Sequence, residues 1–397
     1  MATDGGADMN DLERFLAVVR FEEPDYVPIF SFPGAPGMGG GCMEKTHRRL
    51  VETGMPAHVG GVWNLSTGQR DVESWYRYWG TTQPITCEVD LRVGVRGFRE
   101  KRRIEGDFEI IESESGALTR QVIDNDITYI MPEFIEFPVR DRASWEFYRE
   151  RETPAGLMPP DEMDAACRRY DRRERPLSVG AGGGYGYLRS LMGPERLSLT
   201  FYDDPELLHD MMTWQLEMVR TCQFPLIERL RPEIVQCWED CCYNHGMLCS
   251  PEHFDTFAGA FYREVCAFAR DCDVPLVTID TDGNAMQFAG VVEPYGVNGI
   301  YPWEVKAGND LFEIRERHPT MVLFGWLEKE VINEGNAHLI EPEIMRKVPP
   351  MLEKGGYFPN GDHGLQPWVT FDSLCRFMTL LHEVTGNPEG EFPRVAS

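Results

Sequence analysis

The stretch "VPLVTIDTDGN", residues 274–284, is an apolar, β-branched run that ends abruptly in polar residues. Runs of this kind favour strands that are buried in a parallel sheet. Five more runs share the pattern: "PLSVGAG" at 176–182, "EIVQCWED" at 233–240, "GVNGIYPWE" at 296–304, "TMVLFGW" at 320–326 and "GGYFPNG" at 355–361. Segments long enough for crossover helices separate them. The alternation predicts an α/β fold with a parallel sheet.

Two further strands complete the predicted fold. The chain opens with a helix capped by Asn10 or Asp11, and a strand at 27–32 follows it. One more strand, which the sequence does not locate, brings the total to eight, the number that closes a (β/α)8 TIM barrel. We therefore predict a single barrel domain over residues 1–397, with an inserted α+β excursion at about 33–175.

The composition indicates a cytoplasmic globular protein. Of the 397 residues, 42% are hydrophobic and 26% are charged, as in an ordinary domain with a large core. The formal net charge of −26 repels nucleic acid and anionic membrane surfaces, so neither is expected as a partner. The acidic start lacks the features of a secretory signal, and the apolar runs are too short to span a membrane. The eleven cysteines are expected to be reduced and mostly buried.

Acidic residues follow five successive predicted strands, at the ends where barrel enzymes bind substrate. In chain order they are Glu239 and Asp240, Asp280 and Asp282, Glu304, Glu328, and Asp362 with His363 beside it. A single acid of this kind is more often a helix cap or a solvated loop residue. Carboxylates crowded into one mouth repel each other, so the set requires protonation, a paired cation or a metal ion. Arg or Lys from the N-terminal third is one possible source of charge, and a divalent metal is the other.

Aromatic residues and a glycine-rich segment flank these acids. Tyr301, Trp303 and Trp326 follow predicted strands, where they could bind a flat or cationic ligand or simply fill the barrel mouth. The segment "GAGGGYG" at 180–186 contains Tyr185 and allows a close approach of backbone to a ligand. Its glycines do not fall in the dinucleotide-binding register.

The segment "CWEDCCYNHGMLC", residues 237–249, has a spacing that resembles a zinc cluster through Cys241, Cys242, His245 and Cys249. It lacks the two matched ligand pairs of structural zinc modules. We interpret these thiols as side chains that pack a strand end and the helix after it.

The order of the motifs resembles that of the uroporphyrinogen decarboxylase superfamily. The segments that carry the resemblance are "RFLAVVRFEEPDYVPIF", "LMGPERLSLTFYDDPELLHDMM", "ED" followed by "GMLCSPEHF", "DTDGN" and "GGYFPNGDHGLQP". They cover the start of the barrel and nearly everything after residue 176. The resemblance implies a single (β/α)8 barrel with either tetrapyrrole decarboxylase or cobalamin-dependent methyltransferase activity.

The sequence departs from both kinds of member. The decarboxylases carry an Arg-rich segment after the first strand, whereas this chain has "SFPGAPGMGGG" and no Arg or Lys until Lys45. The thiol-using methyltransferases carry His-x-Cys-Gly and a final Cys-Gly, and the positions that match these ligands are Asp280, Asp282 and His363. Oxygen and imidazole donors are harder ligands than a set with two thiolates. At these positions the chain resembles instead the superfamily members that carry Asp-Gly here and Asp-His at the end. Because it lacks the Arg-rich segment, it resembles the methyltransferase-like members more than the true decarboxylase.

Together, the resemblance and the acidic strand ends predict an enzyme that moves a methyl group between a small methylated substrate and a corrinoid on a partner protein. A divalent metal, zinc before others, is expected to assist. The predicted metal ligands are Asp282, His363, Glu239 and Glu304. The predicted catalytic residues are Asp282, His363, Asp240 and Asp280. The predicted substrate contacts are Trp303, Tyr301, Trp326, Tyr185 and Asn284.

Two alternatives to methyl transfer stay open at this point. One is a metal-free decarboxylase that acts on a small or tetrapyrrole carboxylic acid. The other is a non-catalytic module that binds a ligand or a corrinoid protein. A homodimer is considered as the quaternary state.

Overall fold

The computed structural model describes residues 9–31, 41–64, 68–87, 93–95, 99–113, 115–123, 133–154 and 160–395. Its helices are α1 Asp11–Val19, α2 Glu44–Glu52, α3 Val72–Trp79, α4 Arg142–Arg149, α5 Pro160–Tyr170, α6 Tyr185–Met192, α7 Pro194–Asp203, α8 Pro205–Leu230, α9 Pro251–Asp271, α10 Met286–Val292, α11 Leu311–Arg317, α12 Ile340–Lys354 and α13 Phe371–Thr385. Short 3-10 helices lie at Glu293–Tyr295, Lys329–Ile332 and Ala337–Leu339.

The strands are mostly short. They are β1 Cys42–Met43, β2 Val62–Asn64, β3 Gly68–Arg70, β4 Ile85–Thr86, β5 Val93–Val95, β6 Lys101–Glu105, β7 Phe108–Glu112, β8 Leu118–Val122, β9 Glu133–Glu136, β10 Glu152–Pro154, β11 Leu177–Gly180, β12 Ile234–Trp238, β13 Cys242–Tyr243, β14 Gly246–Met247, β15 Leu276–Thr281, β16 Gly299–Pro302, β17 Val322–Leu327 and β18 Tyr357–Gly361.

The largest sheet has seven strands in the order β18-β17-β16-β15-β12-β11-β4. The pairs β11–β12, β12–β15, β16–β17 and β17–β18 are parallel. Along the chain, at least one helix lies between each two consecutive strands of the set β11, β12, β15, β16, β17 and β18. Such helices are expected because parallel neighbouring strands need a crossover connection. All six strands predicted from residue 176 onward are present, so the α/β prediction is confirmed.

The segment predicted as the first strand, 27–32, forms an isolated parallel bridge and not a regular strand in its described part. The bridge joins Phe30 to Thr82, and the Phe30 carbonyl also accepts a hydrogen bond from Asn360 Nδ2 at 3.1 Å. Pro28 lies within the segment and has no amide hydrogen to give to a ladder. Phe32 lies outside the described residues. Closure into an eight-stranded barrel, as one domain, stays a prediction.

Strand β4 lies just after Thr82 and joins the seven-stranded sheet at its edge. The sequence predicted one strand before residue 176 without giving its position, and β4 lies in that part of the chain. Helix α1 starts as predicted, because the Asn10 side chain accepts from the Glu13 amide while the Glu13 carboxylate accepts from the Asn10 amide.

Two compact units make up the chain. The first contains Met1–Thr86, Arg172–Leu177 and Gly299–Ser397, and the second contains Cys87–Asp171 and Ser178–Asn298. The core of the first includes four stacked or tilted rings: Phe15, Phe30, Phe324 and Phe358. The core of the second includes Phe254, which meets Tyr262 and Phe288 at centroid distances of 5.8 and 5.1 Å. Such rings bury large apolar areas in each unit.

The region from 33 to 175 contains small sheets in its described part. Strands β1, β2 and β3 form one sheet, β5 and β10 a second, and β6 to β9 a four-stranded antiparallel meander. The glycine-rich residues 33–40 and residues 129–132 of the predicted β-like piece "YIMPEFIEFPV" lie outside the described residues. No helix in the described ranges combines the length and apolar character that crossing a membrane requires.

Candidate functional site

Glu239, directly after β12, is a buried carboxyl group whose oxygens have several donors. Its side chain is 0% exposed, and the amides of Gly184 and Gly186 donate to its two oxygens at 2.6 and 2.7 Å. The Tyr262 hydroxyl donates to the same carboxyl group. Burial raises the pKa of Glu239 to about 7, although these donors oppose the shift. Glu239 therefore anchors the glycine-rich segment that begins α6.

The glycines of this segment allow it to lie against the end of β12. A Cβ atom built on Gly183 would be 2.0 Å from the Trp238 carbonyl oxygen, and one on Gly186 would be 2.6 Å from it. The close approach predicted from the sequence thus involves the protein's own strand end. Tyr185 is 2% exposed, and its hydroxyl is buried without a hydrogen-bond partner in the described structure. Its contact with substrate stays a prediction.

Asp240 is paired with a cation from the neighbouring helix. Arg189, on α6, donates from Nη1 to both the carbonyl oxygen and the carboxylate of Asp240. Burial raises the pKa of Asp240, Arg189 opposes this shift, and the charge of Asp282 adds to it. The carbonyl of Asp280 accepts from the amides of Glu239 and Asp240 at 2.9 and 3.2 Å. The backbone thus joins the strand ends of β12 and β15, where these acids lie.

The turn after β15 is built by local hydrogen bonds. Gly283 has a φ of +78°, and a Cβ atom on it would lie 2.6 Å from the Tyr243 backbone. The Asn284 amide donates to the Tyr243 carbonyl at 2.9 Å, and its side-chain oxygen accepts from the Met286 amide at 3.2 Å. Asn284 therefore stabilises the start of α10, and its predicted role in substrate binding stays untested.

The cysteines after β12 pack as buried thiols. The amides of Cys241 and Cys242 donate to Thr281 Oγ1 at 3.1 and 3.2 Å, and both side chains are buried. Burial raises the pKa of Cys249 to about 12 and that of Cys241 well above its ordinary value, which favours protonated thiols. His245 is exposed. This agrees with the packing interpretation, and all eleven cysteines of the chain are free.

Asp362, directly after β18, has both carboxylate oxygens occupied by backbone donors. The Val305 amide donates to Oδ2 at 2.8 Å, and the Lys329 amide donates to Oδ1 at 3.1 Å. The residue is 2% exposed. Burial raises its pKa to about 6, and the charge of Lys329 is the main opposing influence. Asp362 therefore joins the loops that follow β16 and β17.

Lysines in these two loops pair with the remaining acids. Lys329 Nζ lies 3.7 Å from Glu304 Oε1. Lys306 Nζ lies 3.7 Å from Glu328 and 3.2 Å from Glu330. Arg189 of α6 thus faces Asp240, and lysines of the two loops face Glu304, Glu328 and Glu330. The alternating charges of "EKE" at 328–330 were the sequence signal for this pairing. A contribution from Arg or Lys of the N-terminal third stays a prediction.

The three aromatic residues that were predicted from strand ends to contact substrate are buried. Tyr301, Trp303 and Trp326 are 4%, 1% and 3% exposed. The indole nitrogen of Trp303 donates to the Ile300 carbonyl at 2.7 Å, and that of Trp326 donates to the Asn309 carbonyl at 2.9 Å. Packing thus accounts for both indoles, whereas contact of any of the three rings with substrate stays a prediction.

Two side chains of the first unit could contribute to holding a metal ion: Glu304 and His363, which follow β16 and β18. Each is half-buried and offers one ligand atom, and the two atoms lie within 4.8 Å of each other. A carboxylate oxygen and an imidazole nitrogen suit zinc, iron or manganese. Asp282, which is half-buried and follows β15 in the second unit, stays a predicted ligand. Glu239, the other predicted ligand, is completely buried.

Comparisons with known proteins concern the fold. A methyltransferase from Methanosarcina mazei has a similar solved structure, with a TM-score of 0.53 and 13% sequence identity. The match covers 92% of this chain and 96% of the methyltransferase. No protein-family model matches the sequence, and neither does any curated protein. The chain therefore shares the fold of a methyltransferase along almost its whole length.

Proposed function

We propose that the protein is an enzyme that moves a methyl group between a small methylated molecule and a corrinoid carried by a partner protein. The observation that carries this proposal is the pair of half-buried side chains Glu304 and His363, to which we add the predicted ligand Asp282 to form the proposed metal-binding group. The fold shared with a methyltransferase supports the class of reaction. The corrinoid partner follows from the resemblance of the sequence motifs.

The donor atoms of this group fit a divalent ion, with zinc as our first choice. Such an ion, when bound, polarises the heteroatom that carries the methyl group. In the proposed transfer, the bond between that heteroatom and the methyl carbon breaks, and the heteroatom keeps the electron pair. In the same step the methyl carbon would pass to the cobalt of the reduced corrinoid, whose electron pair forms the new bond.

The leaving heteroatom needs a proton, and we assign its donor to Asp240 or Asp280. Burial raises the pKa of Asp240, which favours the protonated form of a general acid. Arg189 fixes the orientation of Asp240 through one hydrogen bond to its carboxyl group and one to its backbone carbonyl oxygen. Asp280 is the second candidate because its backbone is joined to Asp240.

Elemental analysis and a transfer assay test the proposal together. The purified protein is analysed for divalent metals and then assayed with small O-, N- and S-methylated molecules and added cob(I)alamin. We expect metal-dependent methylation of the cobalamin, seen in its visible spectrum, and loss of this activity in Asp282→Ala and His363→Ala. Glu328→Gln is the matched control, because Glu328 is an acid in a strand-end loop but is not in the metal-binding group.

Other results would contradict the proposal. Turnover that survives both a chelator and the Asp282→Ala change would exclude the metal-assisted mechanism. Release of carbon dioxide from carboxylic acids without metal would indicate the decarboxylase. Ligand binding that is unaffected by neutral substitution of the acids, without turnover, would indicate a binding module.

A further inference from the structure

We infer that Asp362 is a positioning residue that sets the geometry of Glu304 and His363, an inference that rests on the proposed metal-assisted function. Asp362 is neither a predicted ligand nor a member of the metal-binding group. Both of its oxygens accept backbone amide hydrogens and the residue is 2% exposed, so its carboxylate is engaged by the protein's own backbone. Its effect on a metal must therefore pass through its neighbours.

The first of these neighbours is the loop after β16. Asp362 Oδ2 accepts from the Val305 amide at 2.8 Å, and that amide belongs to the peptide group directly after Glu304. His363 directly follows Asp362 in the chain. The Asp362 carboxylate thus connects the backbone next to Glu304 with the backbone next to His363. A shift of either loop would change the distance between the two ligand side chains.

The second neighbour is the loop after β17. Asp362 Oδ1 accepts from the Lys329 amide at 3.1 Å, and the ammonium group of the same lysine lies 3.7 Å from Glu304 Oε1. Asp362 therefore also fixes the residue whose charge faces a proposed ligand. Because Asp362 is 2% exposed, water does not compete for these hydrogen bonds.

Helix α12 also contributes hydrogen bonds to this loop and to the end of β17 before it. Glu343 Oε1 accepts from the Glu328 amide at 2.9 Å. Lys347, which is 1% exposed, donates to the Trp326 carbonyl at 2.9 Å and forms an ion pair with Glu343. Two carboxylates thus bind the consecutive amides of Glu328 and Lys329. Such outer groups restrict the orientations that a ligand side chain can adopt, which raises metal affinity.

The test compares Asp362→Asn with the matched control Asp310→Ala. The control also removes a carboxylate that accepts two backbone amides, those of Phe312 and Glu313 at 2.9 and 3.4 Å, where it caps α11. Zn²⁺ affinity is measured by competition with a chromogenic chelator. Amide hydrogen exchange is followed in peptides that contain Val305 and Lys329, and thermal unfolding reports stability.

We expect Asp362→Asn to lower Zn²⁺ affinity by about 10- to 100-fold and to speed exchange in both loops. Asp310→Ala is expected to lower the unfolding temperature while leaving Zn²⁺ affinity and exchange in these loops unchanged. Unchanged Zn²⁺ affinity in Asp362→Asn would overturn the inference, and so would an equal loss of affinity in the control.

A failure of the proposed function can be told apart from a failure of the inference on Asp362. Wild-type protein that does not bind Zn²⁺ or another divalent ion would remove the metal and this inference together, before any variant is compared. If Asp362→Asn does not fold, Glu343→Gln tests the same loop. This variant is expected to lower Zn²⁺ affinity by a smaller factor, because Glu343 accepts from a backbone amide in one loop, that of Glu328, whereas Asp362 accepts from one amide in each of two loops. Unchanged affinity in this variant would equally overturn the inference.

Discussion

The region around Glu239 and the region around His363 both carry acids at strand ends, but they use them differently. Glu239 is completely buried and accepts hydrogen bonds from two glycine amides and a tyrosine hydroxyl. His363 and Glu304 are half-buried members of a group that could hold a metal ion. Asp362 lies beside His363 in the chain, yet it resembles Glu239 in its burial and its backbone donors.

This difference shows that burial and hydrogen bonding separate two roles among acids with similar positions in the sequence. A buried carboxylate whose two oxygens accept backbone hydrogens is already stabilised by the protein and is closed off from a solvated ion. It can hold loops in place. A half-buried acid can exchange its partner for an ion at much lower cost, and it can therefore serve the chemistry.

Removing a half-buried side chain is expected to have the largest effect, and to act on activity. His363→Ala or Asp282→Ala should lower the rate of the proposed methyl transfer by about 10³-fold, because the proposed metal would supply several kcal/mol of transition-state stabilisation. Stability should change by no more than about 0.5 kcal/mol. Initial rates and urea unfolding measure the two quantities. A large loss of stability with little loss of rate would contradict the assignment of these half-buried side chains to the chemistry.

Removing a buried acid should act on stability instead. Glu239→Ala strands the amides of Gly184 and Gly186 and the hydroxyl of Tyr262, at a cost of about 4 kcal/mol in the free energy of unfolding. Urea denaturation measures this cost, and Glu328→Ala serves as the control with an expected change below about 0.5 kcal/mol. An equal change in both variants would show that burial does not separate the two groups.

The raised pKa of Glu239 predicts a pH dependence of stability. The folded protein keeps this proton up to about pH 7, whereas the unfolded chain loses it near the ordinary value of 4.5. Stability therefore falls as the pH rises through this window, by roughly 3 kcal/mol. Glu239→Gln removes the titration, so the stability of wild type relative to this variant should fall between pH 4.5 and 7. A constant difference would contradict the assigned pKa.

The smallest expected effect concerns the cation beside Glu304. Lys329→Met removes an ammonium group that competes with a metal ion for Glu304 and should raise Zn²⁺ affinity by about twofold, since pairs near the surface contribute about 0–1 kcal/mol. Lys306→Met is the matched control, because Lys306 pairs with Glu328 and Glu330. Calorimetric titration with Zn²⁺ compares the variants. Equal gains in both would point to a general charge effect.

Several parts of the fold and site were predictable because they depend on neighbours in the chain. The β-branched runs located six strands, and their polar ends located Asp282, Glu304 and His363. The roles of Trp303 and Trp326 were not predictable, since their indole partners belong to backbone that the strand pattern does not specify. The segment predicted as the first strand forms only a bridge in its described part, because Pro28 has no amide hydrogen to give to a ladder.

The amino-acid sequence by itself determined the order of strands and helices and the acidic character of the strand ends. These properties follow from hydrophobic period and from residue type, which are local. Only the tertiary structure decided which acids are anchors and which could be ligands. Glu239 meets its partner amides from a segment more than 50 residues earlier, and Asp362 meets Val305 from 57 residues away. Desolvation and hydrogen bonding depend on these distant neighbours, because burial arises only when the chain has folded.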